Sequence, residues 1–287
     1  MRGTLRVERR PGVAVATIDH PPINLLDAAL RADLDAFSRE VAEDEGVRVV
    51  VLRSADPEFF VAHADIHGEV ARYETPPPYP TRPGGLQSIG ERFRTMPKAT
   101  IAQIEGRARG GGAELALAFD MRFAARGRAL IGMPEVPLGM VPGGGGTQRL
   151  ARLAGRGRAL EALLSGCDLD ASLAERYGIV NRALEPDEIG PFVDRLADRI
   201  ASFPGYAVAL AKEAVDAALP PMEPGLLEEY DRFNRTIVEE RTTRRLRAAL
   251  GAGAQTRAGE LDLEGLWAVL QDADTEPRGT LAEPEAR

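Results

Sequence analysis

Two glutamates stand where carboxylates could do acid–base work. Glu114 follows Gly110-Gly111-Gly112-Ala113, and Glu135 lies in Gly132-Met133-Pro134-Glu135-Val136-Pro137, an otherwise apolar run between two prolines. Three successive glycines between a strand and a helix allow close approach to the backbone and leave amide N–H groups exposed. Those amides fall at a helix N-terminus, whose dipole favours negative charge. A carboxyl buried in apolar surroundings has its pKa raised toward general acid or base duty. Plainer readings stand beside these: Glu114 as a first-turn acid complementing the dipole, and Glu135 as an exposed loop residue. A second glycine run, Pro142-Gly143-Gly144-Gly145-Gly146-Thr147, lacks the Lys-Ser/Thr ending of a phosphate-binding P-loop, and no G-x-G-x-x-G occurs.

The elements that must position these residues are partly legible. Residues 4–10 and 13–19 read as two short strands around Pro11-Gly12. A helix opens near Asp27 with Leu30, Leu34, Phe37 and Val41 on one stripe. Val47 to Leu52 is apolar and β-branched nearly throughout, as a strand covered on both faces would be. Strand, helix and strand in this order predict a right-handed parallel crossover. The proline-rich stretch from Gly68 to Gly85 reads as a long loop, a length that marks lids, binding loops or insertions. Thr100 to Ile104 is a predicted strand running into the glycine-rich turn, then helix Ala113 to Phe119 and strand Met121 to Ala125, a second crossover. From residue 147 the pattern is helical, near 147–153, 157–165, 171–177, 187–202, 205–218 and 224–250. No internal repeat stands out. The division is therefore a sheet-bearing core over 1–202, a helical region over 203–272 and a polar, acidic tail over 273–287 expected to be disordered.

With 287 residues, 44% apolar and 28% charged, the chain can build a core without disulfides or metals. A net charge of −8, with one basic cluster at Arg244-Arg245-Leu246-Arg247 beside Glu239 and Glu240, argues against nucleic acid as the partner. The basic N-terminus is followed by no uninterrupted apolar stretch, and no run approaches the ~20 apolar residues that cross a bilayer. Together with a single cysteine, Cys167, which cannot form an internal disulfide, this leads to an expected cytoplasmic location without membrane association.

The stretch from Pro97-Lys98-Ala99-Thr100-Ile101-Ala102 through Gly110-Gly111-Gly112-Ala113-Glu114-Leu115-Ala116 resembles the first signature of the enoyl-CoA hydratase/isomerase (crotonase) family. Gly132-Met133-Pro134-Glu135, Leu138-Gly139 and Pro142 through Leu150 resemble the second, in the right order and spacing. The similarity runs from about residue 4 to about residue 250. It implies an α/β fold: a crotonase-like ββα spiral core with a helical C-terminal region. It implies an oxyanion hole from the backbone N–H groups of Ala64 and Gly111, and a water held between Glu114 and Glu135, with Glu135 exchanging the proton. Asn24, Leu25 and Leu26 match the loop that wraps coenzyme A, joined by Ala62, Ala64, Asp65 and Ile66. His63, Met133, Pro134 and Gly143 fall to the acyl pocket. The resemblance implies an acyl-CoA substrate, so that no separate cofactor and no metal are expected, and an assembly as a homotrimer or homohexamer. The implied reaction is hydration of a 2-enoyl-CoA, or its reversal. The alternatives are double-bond isomerisation, another acyl-CoA reaction of the family, or a non-catalytic CoA-ester scaffold that kept the fold.

Two departures from the family pattern stand out. His63 occupies the middle of Ala62-His63-Ala64-Asp65-Ile66, where the family most often has glycine, so its side chain narrows the acyl channel or shifts Ala64. The segment beyond Gly251, including Leu261 to Leu270, extends past the usual end, with Trp267 read as a packing or interface residue. His63 and His67 are spaced as a metal pair, but a zinc site needs more ligands. Cys167 has no histidine near it in sequence to activate it. Leu226, Leu227, Tyr230, Phe233, Ile237 and Val238 form a stripe on one long predicted helix, which points to a subunit interface.

Overall fold

Alternating strand faces explain how the larger sheet is buried from both sides. The computed structural model describes residues 3–68 and 75–272, so the predicted disordered tail and part of the proline-rich loop lie outside the described residues. Strands β1 (Leu5–Arg10) and β2 (Val13–Ile18) form the expected hairpin. Helix α1 (Ala28–Glu43) starts at Asp27, whose carboxylate accepts from the Leu30 N–H at 2.9 Å, an N-cap as the sequence predicts. It leads to β3 (Val49–Ser54), which lies parallel to β2 as the crossover rule requires. Val13, Val15, Val49 and Val51 point to one face of this sheet. There they pack on Ile189, Val193, Ala197 and Ala201 of a helix from the C-terminal half. Ala14, Ala16, Val50 and Leu52 point to the other face, under Leu30, Leu34, Phe37 and Val41. Each fully buried Leu or Val side chain contributes roughly 1.5–3 kcal/mol.

Short strands that carry no visible periodicity complete the core. After β3 come β4 (Phe59–Val61) and α2 (Gly85–Thr95). Next are β5 (Ala99–Ile104), β6 (Arg107–Arg109) and α3 (Gly111–Leu117). Then follow β7 (Met121–Ala125), β8 (Leu130–Gly132) and α4 (Gly146–Ala154). Each round sends one strand to the large sheet, one to a second sheet, and then a helix. The large sheet has the order β1-β2-β3-β5-β7 with a last strand at its edge, and the small one is β4-β6-β8 plus a short antiparallel strand. This is the ββα spiral, and it is a structural repeat although no sequence repeat is visible. The glycine-rich turn of the sequence analysis thus contains a strand, β6, which the glycines on either side disguise.

The rest is helical with two small strands: α5 (Arg156–Ser165), β9 (Leu169–Asp170), α6 (Ala171–Arg176), β10 (Arg182–Leu184), α7 (Ile189–Ala201) and α8 (Gly205–Asp216). β10 closes the large sheet beside β7, and β9 closes the small one beside β8. The single helix expected over 224–250 is two, α9 (Glu223–Ile237) and α10 (Glu240–Gly251). Glu239 between them has an extended backbone, and the turn lets Ile237 and Leu246 bury in one apolar cluster with Leu138 and Met140. The Thr242 hydroxyl anchors the turn by donating to the Gly139 carbonyl at 2.9 Å. Helix α11 (Arg257–Leu261) follows, and α12 (Leu263–Asp272) joins the same cluster through Leu263, Leu266 and Leu270. The α9 stripe is therefore taken up in part inside the chain, with Leu226 and Ile237 buried and Phe233 packed on the cluster.

Candidate active site

The three parallel strands of the small sheet end on the same edge, and ligands in α/β sheets gather at the carboxyl ends of parallel strands. β4 is followed by His63 and Ala64, β6 by Gly110 and Gly111, and β8 by Pro134 and Glu135. These segments wall a cavity of about 180 Å³. Of the residues assigned from sequence, His63, Ala64, Ile66, Gly111, Glu114, Pro134, Glu135 and Gly143 face it. The others support it from behind. Asn24 is buried, and its amide donates to the Ser54 hydroxyl and the Phe59 and Phe60 carbonyls at 2.8–3.2 Å, so its side chain is structural. Leu25 and Ala62 pack together, Leu26 lies in the core, and Met133 is buried behind Gly146. Asp65 holds the Gln255 amide at 2.9 Å.

Backbone pairing sets the direction of the Ala64 amide. The Leu26 N–H donates to the His63 carbonyl at 2.9 Å and the Asp65 N–H to the Leu26 carbonyl at 3.2 Å, a bridge that leaves the intervening Ala64 N–H outside the ladder. Gly111 lies against it: a Cβ placed on Gly111 would sit 3.1 Å from the Ala64 Cβ. Among the described residues neither amide donates to another protein group. The preceding glycine is required on two counts. Gly110 has φ 45°, and a Cβ there would come 2.6 Å from a Glu135 carboxylate oxygen.

The two carboxylates are both buried, which sets aside the plainer reading of Glu135 as an exposed loop residue. Glu114 accepts from the Gly144 N–H at 2.7 Å and the Gly146 N–H at 2.9 Å, at the start of α4. Burial, and then the charge of Glu229, push it up to about 7, although those amides pull the other way. Burial and then Glu114 raise Glu135 well above the usual carboxylate range, and its Oε2 has no hydrogen-bond partner among the described residues.

A third acid, Glu229 of α9, carries no mark in the signature motifs. It accepts from the Gly145 and Thr147 N–H groups, the Thr147 hydroxyl and the Gln87 amide. Four consecutive amides at the start of α4 are thus shared alternately, two to Glu114 and two to Glu229. A signal was present: Glu229 is three residues after Leu226 and four before Phe233, on the apolar face of its helix, where an acid needs partners. The C-terminal segment contributes too. Ala254, Glu260, Leu263, Leu266 and Trp267 wall the cavity, which corrects the reading of Trp267 as packing or interface alone.

Fold and site define an α/β protein built as a spiral of strand pairs, with two amides and two acids of raised pKa on one cavity. The chain belongs to the enoyl-CoA hydratase/isomerase family, whose model matches residues 8–247. It is 36% identical over 216 residues to the short-chain-enoyl-CoA hydratase of Clostridium acetobutylicum, covering 74% of this chain and 81% of that one. It is 35% identical over 216 residues to the crotonyl-CoA hydratase of Syntrophomonas wolfei, with the same coverage of 74% and 81%. The solved structure of a candidate enoyl-CoA hydratase from Streptomyces avermitilis matches with a TM-score of 0.86 at 40% identity, covering 94% of this chain and 99% of that one.

Proposed function

We propose that the chain is an enoyl-CoA hydratase, adding water across the C2=C3 bond of an acyl-CoA thioester and removing it in reverse. The observation that carries this is the meeting, on one cavity, of the Ala64 and Gly111 amides with Glu114 and Glu135. The thioester oxygen sits between the amides, and its hydrogen bonds strengthen as it becomes an enolate, each donor contributing roughly 3–4 kcal/mol in the transition state. Glu114, ionised over much of the neutral range, takes a proton from water as the water oxygen bonds to C3. Glu135, kept protonated by its dry surroundings, gives its proton to C2. Proton exchange between the two carboxyls then restores the start, and one water has been added. Carboxyls whose surroundings hold their pKa values apart can divide acid and base roles in this way.

Residues 62–66 and the 22–27 loop take the coenzyme A moiety, mainly by backbone contacts, and His63, Pro134 and Gly143 border the acyl group. Coenzyme A enters as part of the substrate, and no other cofactor takes part. The same proposal includes a homotrimer or homohexamer built through residues 203–272, in the cytoplasm. Supporting assembly, α8 leaves Tyr206, Leu210 and Val215 exposed. The single cysteine, free and exposed, suits a reducing compartment. A monomer by light scattering would count against the assembly. Among the described residues, no helix is long and apolar enough to cross a membrane.

The test is crotonyl-CoA with the whole chain. Loss of the conjugated thioester absorbance with a product heavier by one water supports hydration. A product of unchanged mass means isomerisation, and binding without turnover across a graded enoyl-CoA panel would reduce the protein to a scaffold.

A further inference from the structure

His63 stands in the loop that carries Ala64, and its ring is held from both sides. Nδ1 lies 2.7 Å from the Ala64 carbonyl oxygen and Nε2 lies 2.9 Å from Oε1 of Glu260 on α11. A carbonyl oxygen only accepts, so Nδ1 must carry a proton. Glu260 is an ionised acceptor as well, since Oε1 also receives the Gln255 N–H at 2.9 Å and Oε2 faces the Arg109 guanidinium at 3.4 Å. Nε2 must then carry a proton too. Glu260 and Arg109 are each 2% exposed, and Asp168 grips Arg109 from behind through two hydrogen bonds of 2.6 and 2.9 Å. The result is a buried chain of alternating charges, His63, Glu260, Arg109 and Asp168, in which a neutral imidazole would leave one contact repulsive.

We infer that His63 is a fixed imidazolium, held charged by Glu260 of the C-terminal segment, and that it positions the Ala64 amide and sets a positive charge in the wall beside the enolate oxygen. The inference rests on the oxyanion-hole reading of Ala64 and Gly111. It makes residues 252–262 part of the active site. The same segment ties the loop a second time, with the Gln255 side chain accepting from the Ile66 N–H at 3.2 Å and donating to Asp65 at 2.9 Å. The charged groups acting on His63 are Glu260 on α11 and Arg109 on β6, while Asp65 on its own loop is taken up by Gln255 and Glu135 lies across Gly110. Arg257, also on α11, is turned away to Asp56 and Glu58. Burial pulls the imidazole down, but Glu260 and the Ala64 carbonyl outweigh it, so the pKa lies above that of an ordinary histidine. The matching shift takes Glu260 down to about 2: burial opposes it, and His63, Gln255 and Arg109 drive it.

Imidazole nitrogen NMR on the whole chain, without substrate, tests the charge. With three histidines present, loss of one signal set in His63→Gln assigns the ring. The expected result is a doubly protonated ring at pH 7.5 that becomes neutral in Glu260→Gln; a neutral ring in the wild type at pH 7 overturns the inference. Enoyl-CoA turnover tests the role. Glu260→Gln should lower kcat at least tenfold at pH 8 with KM changed less than about twofold, and the loss, read against the wild type at the same pH, should shrink toward pH 6 as the imidazole, no longer held by Glu260, regains its proton. Unchanged kcat, or an equal loss at both pH values, means the pair is only structural. If the wild type turns over no enoyl-CoA, the proposed function fails, while the NMR result still decides the charge.

Discussion

Glu114 and Glu135 are the same residue type at nearly the same burial, yet their corners of the cavity differ. Glu114 sits at the start of a helix with two amide donors and a second acid, Glu229, sharing the same run of amides. Glu135 sits in a turn with an oxygen that meets no donor among the described residues. Burial raises both, but Glu114 has two amides of the α4 start that favour its anion, against a single backbone N–H, its own, at Glu135. One fold thus holds Glu114 at about 7 and raises Glu135 well above the usual carboxylate range, in part through where it places backbone N–H groups rather than through residue choice.

Substitutions that equalise the two corners should break the difference. Glu135→Gln removes the transferable proton and keeps the shape, so kcat for crotonyl-CoA should fall by about 10³-fold, within the range of a lost general acid. KM should change little, and a loss below tenfold in steady-state assays would mean that Glu135 is not the proton donor. Glu114→Gln should cost roughly 10²–10³-fold. It should also change the pH profile. In the wild type kcat/KM should rise as Glu114 ionises through about 7, then fall at higher pH as Glu135 loses its proton. The variant should lack the rising limb.

A finer probe leaves both acids in place. Glu229 helps to raise Glu114, so Glu229→Gln should move the rising limb of kcat/KM below its wild-type position while lowering kcat less than tenfold. A limb that stays put would show that the α4 amides alone set Glu114. The smallest effect is on stability. A carboxyl whose pKa is raised on folding contributes stability that is complete below its unfolded value and lost as pH rises through its folded value. The wild type should therefore lose stability from about pH 4.5 upward through about 7. Glu135→Gln should melt about 2–4 °C higher than wild type above neutrality, a ΔΔG of order 1 kcal/mol, with little difference at pH 4. Equal melting shifts at both pH values would argue against a folded-state cost of ionising Glu135 from its burial and from Glu114.

Much of this comparison was visible before folding was considered. The glycine runs, both acids, the Asp27 cap and the strands flanking α1 all follow from local composition and period. Glu229 was legible only as an acid on an apolar helical face. Glu260 had no such signal, because α11 spans five residues and offers no full period.

By itself the amino-acid sequence determined which segments become helices and long strands, and which residues could hold a proton or expose an amide. It could not show that β4, β6 and β8 are strands, since three residues bounded by glycines or turns have too few side chains to reveal a period of two. Tertiary structure decided the rest. Only parallel pairing of those strands brings Ala64, Gly111 and Glu135 to one edge. Only the fold-back of the C-terminal helices brings Glu229 to the amides beside Glu114 and Glu260 to the cavity wall. The physical reason is that hydrophobic pattern specifies which face of each element avoids water, whereas which faces meet depends on contacts between residues as far apart as His63 and Glu260.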